Sequence, residues 1–180
     1  PDGYRLATSG NSQGFQNSFR ELILALVLGI AVAYMILGAQ FDSFIHPFTI
    51  LLALPFSLSG ALLALWAMNH SLNMMSMIGI LLLMGIVKKN AILLVEFTNA
   101  QRHAGLPTRE ALLMACPLRL RPILMTSLAI VAGAIPAAMS LGPGAELRSP
   151  MGVAVIGGTL ISTLMTLYVV PCAYSLLARL

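Results

Sequence analysis

Two adjacent lysines, Lys88 and Lys89, stand inside an apolar segment that neither flank could carry across a bilayer alone. Met74 to Val87 precedes them and Ala91 to Val95 follows. A spanning helix needs about 20 residues to cross roughly 30 Å of hydrocarbon. Only the two flanks joined through the lysines are long enough, so the lysines fall well below the membrane surface. A lysine at that depth costs on the order of 3 kcal/mol on insertion scales. Such a group is paired, held in a wet cavity, or functional.

The chain of 180 residues is 58% hydrophobic and only 9% charged. Soluble domains carry roughly 25% charged residues. A water-soluble core of this size would lack a surface, so lipid is the solvent for most of the chain. The net charge of +4 comes from scattered basic residues and forms no patch that would suit a nucleic acid. Cys116 and Cys172 show no metal-ligand spacing. Cys116 is expected in a polar loop and Cys172 near the end of the last helix, both on the cytoplasmic side, where thiols stay reduced. The chain opens on Pro1-Asp2-Gly3-Tyr4, without a start or a signal peptide, and reads as a piece of a longer protein.

The apolar pattern predicts an all-α membrane protein with five spans, at about 22–39, 48–68, 72–98, 119–141 and 151–177. Residues 1–20 are polar and read as the tail of an aqueous region; residues 21–180 form the membrane part. Pro55 is expected to kink the second span, with Ser57 or Ser59 satisfying freed backbone groups. Gly60, Ala61 and Ala64 offer a close-packing face, and Gly157-Gly158 a notch. Asn69-His70-Ser71 is a tight connection. Thr108 is a candidate cap for a short helix in the polar stretch Asn99–Pro117. Pro122 is expected in the first turn of the fourth span, with Pro136 inside it. Residues 142–149 read as a loop. Trp66 reads as an interface anchor, and His46, His70 and His103 as isolated. Arg102, Arg109, Arg119, Arg121 and Arg179 lie at one face; Arg5, Arg20 and Arg148 lie at the other. That excess predicts the long loop and the C-terminus inside and the N-terminus outside.

Lys89 and Glu96 are seven apart, which sets them about 20° from each other and roughly 10 Å along a helix axis. They share a face without meeting. Lys88 points about 100° away from Lys89 and reads equally well as a side chain that snorkels to an interface. Arg119 and Thr126, also seven apart, form a line from the inner interface toward mid-membrane. A cation, a hydroxyl and a buried lysine are parts of a proton path. The bland alternatives are that Arg119 and Arg121 are topology anchors and that Thr126 bonds back to its own helix. A carboxylate at the depth of Lys89 is missing from the chain, so its partner is expected on another chain or on a part not present here.

Four stretches carry a resemblance: Ala39-Gln40-Phe41-Asp42-Ser43-Phe44, Gly85 to Phe97, Arg119-Leu120-Arg121-Pro122-Ile123-Leu124-Met125-Thr126-Ser127, and Gly157 to Pro171. Through them the chain resembles the resistance–nodulation–cell division (RND) efflux transporters, most closely the hydrophobic and amphiphilic multidrug branch. The resemblance implies the last five of twelve membrane helices, with residues 1–20 closing a periplasmic porter region. It implies that Lys89 pairs with aspartates of an absent helix, and that Arg119 and Thr126 share the same proton relay. Asn90 is placed to orient the lysine; Lys88 stands where a small residue is often found. The implied process is proton/drug antiport driven by the proton-motive force, with no cofactor, in the bacterial inner membrane. The implied partners are membrane lipids, the remainder of the transporter chain, two further copies in a homotrimer, a periplasmic adaptor, an outer-membrane channel and hydrophobic drugs. A different class remains open on the residues alone: a truncated, non-transporting membrane protein whose polar residues only fix helix packing. An intramembrane hydrolase is disfavoured, since His-Glu-x-x-His and a pair of intramembrane carboxylates are lacking, and the one Gly-x-Ser-x-Gly string, Gly10 to Gly14, falls in the polar stretch before the first span.

Overall fold

The structure is a computed structural model and describes residues 11–42, 45–139, 142 and 144–177. Residues 1–10, Ser43, Phe44 and Arg179, which entered the expectations above, lie outside the described residues. Among the described residues every regular element is an α-helix: α1 (Asn11–Phe41), α2 (Ile45–Leu51), α3 (Ala53–Ala67), α4 (Met74–His103), α5 (Thr108–Ala138) and α6 (Ala145–Leu177). Five helical stretches, α2 and α3 counting as one, are long and apolar enough to cross a membrane.

Several ends differ from the expectations, each for a local reason. Helix α1 starts at Asn11, well before the apolar run, because nothing in the polar stretch up to Arg20 breaks it. The second span is interrupted at Leu52, one turn ahead of Pro55. A proline ring crowds the carbonyl four residues back, here Leu51. Ser57 and Ser59 do not reach that carbonyl; their hydroxyls donate to Leu54 O and Phe56 O, three residues back. Helix α5 begins at Thr108, but Pro107 takes the capping position without a side-chain bond, so Thr108 is not a cap. The helix then runs unbroken to Ala138, which places Cys116 inside a helix rather than a loop and Pro122 in the interior rather than the first turn. Residues 145–149, expected in a loop, form the first turns of α6.

Helix α4 has the clearest start. Asn73 Oδ1 accepts from Ser76 N at 2.8 Å, and Asn73 N donates to Ser76 Oγ at 2.9 Å. This reciprocal box satisfies two of the donors that a helix start leaves open. At the other end Arg102 and His103 face the negative end of the helix dipole. Gly105, at φ +96°, then turns the chain, an angle that other residues rarely adopt.

Helix α6 is the pillar of the bundle; its largest contacts are with α3, α5 and α4. Glycines let backbones approach on all three sides. A Cβ on Gly60 of α3 would stand 2.7 Å from Ile161 Cβ and 3.1 Å from Gly157 O, and one on Gly157 would collide with Ala64 Cβ. The expected Gly60–Ala64 face therefore meets the Gly157 half of the notch, and Gly158 faces Leu83 of α4. A Cβ on Gly152 would stand 2.6 Å from Ala138 N. Around this pillar lies the core: Leu83, Val87, Ala91 and Leu94 of α4, Ala61 and Leu65 of α3, and Val153, Ala154, Val170 and Tyr174 of α6. Helices α1 and α5 stand at the margin, with 6% and 11% of their apolar windows buried against 50% for α4 and α6.

The glycine contacts rank three substitutions. Gly152→Ala and Gly157→Ala meet backbone or a Cβ that cannot turn away, and each should destabilise by about 1–3 kcal/mol. Gly158→Ala meets only the flexible end of Leu83 and should cost less. Thermal unfolding of the purified variants in detergent checks that order; an equal loss for all three would contradict it.

Candidate functional site

Helix α4 carries an uncovered stripe. Ile78, Leu82, Gly85, Lys89, Glu96 and Ala100 are all exposed. Their spacing of four, three, four, seven and four residues keeps them within about 60° of one another at 100° per residue. Nothing lies within 4 Å of where a Cβ on Gly85 would stand. Lys89 sits midway along this stripe, and no hydrogen bond or ion pair joins it to another described residue. Glu96 shares the stripe, as the seven-residue spacing required. The rest of α4 is packed: Val87, Asn90, Ala91 and Leu94 are buried among the neighbouring helices.

The other expected residues gather one face away. Asn90, 4% exposed, lies between α4 and α5. Thr126 Oγ1 has two acceptors in reach, Ile123 O at 3.0 Å and Asn90 Oδ1 at 3.4 Å. A hydroxyl has one hydrogen, so the two compete, and the bland back-bonding role and the contact to Asn90 coexist. One turn pair further along, the Arg119 guanidinium carbon stands 4.6 Å from the centroid of the Phe97 ring. That is within cation–π range, which runs to about 6 Å. Arg119 Nε is buried with no hydrogen-bond partner among the described residues.

Lys88 is separated from this group. It is half-buried, and its Nζ donates to Gly29 O of α1 at 3.3 Å. The two lysines thus do different things: Lys88 ties α4 to α1, and Lys89 faces away from the bundle.

Part of this register is encoded in the sequence. Asn90 and Phe97 are seven apart, as are Thr126 and Arg119. On antiparallel helices equal spacings bring both pairs into register, 90 to 126 and 97 to 119. Phe97 as a platform for Arg119 follows from that match. A second cluster at the His103 end of α4 carried no such signal. There Tyr174, 2% exposed, donates to Asn99 Oδ1 at 3.1 Å and accepts from Arg102 Nη1 at 3.2 Å. His46 lies flat on the Tyr174 ring, centroids 5.3 Å apart. At the opposite end His70 Nε2 and Ser149 Oγ are 3.3 Å apart. Neither His46 nor His70 is isolated, contrary to expectation, because residues far apart in sequence converge on each.

Five helical stretches of this length and apolarity, one of them with a lysine at its middle, define a polytopic membrane protein. The chain belongs to the AcrB/AcrD/AcrF family, which it matches over residues 1–178, and so to the RND efflux transporters that its motifs resemble. It is 45% identical over its whole length to multidrug resistance protein MdtC of Escherichia coli (strain UTI89 / UPEC), and equally to that of strain K12 / DH10B. It spans 18% of the length of these relatives. Among solved structures it is similar to a heavy metal efflux pump, with a TM-score of 0.81 and 31% identity over 92% of this chain and 17% of that one.

The Arg119–Phe97 contact is testable by itself. Phe97→Leu removes the ring but keeps an apolar side chain, and should cost about 0.5–2 kcal/mol, while Phe97→Tyr retains the contact. Melting curves in detergent distinguish them; equal midpoints for both variants would show that the stacking contributes nothing.

Proposed function

We propose that this chain is the C-terminal membrane part of a proton-driven multidrug efflux pump of the inner membrane, working by proton/drug antiport and inactive by itself. The observation that carries this reading is the position of Lys89. It stands exposed on a straight stripe of α4 at a depth where an unpaired cation is costly. The chain spans 18% of its relatives' length, and it is in those longer relatives that a further helix would cover such a stripe. In this reading the covering helix brings aspartates to Lys89. Lys88, engaged with Gly29 O, is not available to them.

The relay then consists of Lys89, Thr126 and Arg119, with Asn90 as the link between α4 and α5. Ionised aspartates attract Lys89 and hold the covering helix close. When they take up protons that attraction falls, and the helix packing shifts toward a second arrangement. Thr126 offers a hydroxyl that switches between Ile123 O and Asn90 Oδ1, a low-cost way to pass or release a hydrogen bond. Arg119 supplies a fixed positive charge nearer the His103 end of α4. The N-terminus lies in the periplasm and the C-terminus in the cytoplasm. No cofactor takes part; the proton-motive force supplies the energy. The full pump works as a homotrimer with a periplasmic adaptor and an outer-membrane channel, and hydrophobic drugs are its cargo. The chemistry is transport rather than catalysis.

Replacing Lys89 by Ala in the intact pump should abolish drug extrusion, with normal amounts of protein in the membrane. Lys88→Ala should leave at least half of it. The measurement is efflux of a fluorescent drug from de-energised and re-energised cells, beside an immunoblot of the membrane fraction. Undiminished extrusion by the Lys89 variant sinks the relay.

A further inference from the structure

Ser127 follows Thr126 in α5, and one step along a helix turns it by about 100°. Thr126 therefore faces Asn90 of α4 while Ser127 faces α6. There Ser127 Oγ lies 2.7 Å from Thr163 Oγ1. Thr163 Oγ1 donates its single hydrogen to Thr159 O at 2.7 Å, so Ser127 is the donor between the two hydroxyls. Ser127 is 4% exposed and Thr163 5%, and neither bond competes with bulk water.

Two contacts 100° apart on a single turn fix how α5 is rotated about its own axis. Arg119 on Phe97 and the Ala138 backbone, which accepts from Ser149 Oγ at 3.0 Å, hold α5 nearer its two ends. Its buried side chains are Ala111, Leu112, Ala115, Ile123 and Ser127, so in the middle of the helix the two hydroxyl contacts are the directional ones. Arg119 lies seven residues before Thr126, about 20° from it on the helix. Any rotation that takes Thr126 off Asn90 also takes Arg119 off Phe97.

The face of α6 that meets Ser127 has three threonines one turn apart: Thr159, Thr163 and Thr166. Thr159 and Thr166 are each 1% exposed, and their hydroxyls have no hydrogen-bond partner among the described residues. Of three hydroxyls with the same chemistry and the same burial, the middle one alone is joined to α5.

We propose that Thr163 is a positioning residue for the relay: by accepting from Ser127 it sets the rotation of α5 that presents Thr126 and Arg119 to α4. The inference rests on the relay reading given above. Its geometric half, that the bond sets the rotation of α5, does not.

The threonine series provides the test and its own controls. In the intact pump, Thr163→Val keeps the shape and removes the acceptor, Thr163→Ser keeps the acceptor, and Thr159→Val and Thr166→Val remove hydroxyls that hold nothing. Two measurements are made on each. Nitroxide labels at Met125→Cys and Tyr168→Cys, both exposed positions, report the setting of α5 against α6 as a distance, in a background without Cys116 and Cys172. Drug efflux at a series of external pH values reports the relay. Thr163→Val should shift or broaden the label distance, lower efflux roughly three- to ten-fold, and move the pH of half-maximal efflux. Thr163→Ser, Thr159→Val and Thr166→Val should match the parent in both. A shifted distance with an unmoved pH profile would uphold the geometry and overturn the role in the relay. An unshifted distance, or equal losses in all three valine variants, would overturn the proposal. If Thr163→Val does not reach the membrane, Ser127→Ala removes the same bond from the donor side and is judged by the same two readouts.

Discussion

A lysine at the middle of a membrane-length apolar helix, turned away from its own bundle, is the constraint on which the proposed function rests. At a cost on the order of 3 kcal/mol, Lys89 on α4 needs a partner. The packed faces of α4 offer none. They are filled by Val87, Ala91 and Leu94, buried in the core, and by Asn90 toward α5. What remains is the open stripe from Ile78 to Ala100, which is straight enough for a single further helix to lie along it. Among the described residues, the remaining faces of α4 are packed and this stripe is uncovered.

The packed side depends on α6. Gly152 and Gly157 bring it against α5 and α3 more closely than a Cβ would permit, and Gly158 leaves room for the end of Leu83 of α4. That closeness gives short hydrogen bonds between helices their reach, Ser127 to Thr163 among them. It also holds Tyr174 where Asn99, Arg102 and His46 meet. Helix α5 is less constrained, with three prolines in it and few buried side chains.

Much of this was legible beforehand, and the misses have physical causes. The five spans follow from apolar length, and the glycine faces follow from small residues at one-turn spacing. Helix ends were harder. Polar residues at 11–20 and 145–149 are compatible with both helix and loop, and only the packing decides. The same holds for Cys116, which reads as loop from its place in the polar stretch Asn99–Pro117, though α5 runs through it and absorbs Pro117. The seven-residue spacing found Lys89 with Glu96 and Arg119 with Thr126. The matching spacing of Asn90 and Phe97 was equally available and pairs with it. The meeting of His46, Asn99, Arg102 and Tyr174 joins residues up to about 130 positions apart, and no local pattern encodes such a contact.

The most direct measurement is the distance from Lys89 Nζ to the nearest carboxylate oxygen in a structure of the intact transporter. A carboxylate from a covering helix within about 4 Å is what the uncovered stripe predicts. A Lys89 facing lipid or open water, with no carboxylate in reach, would contradict the account.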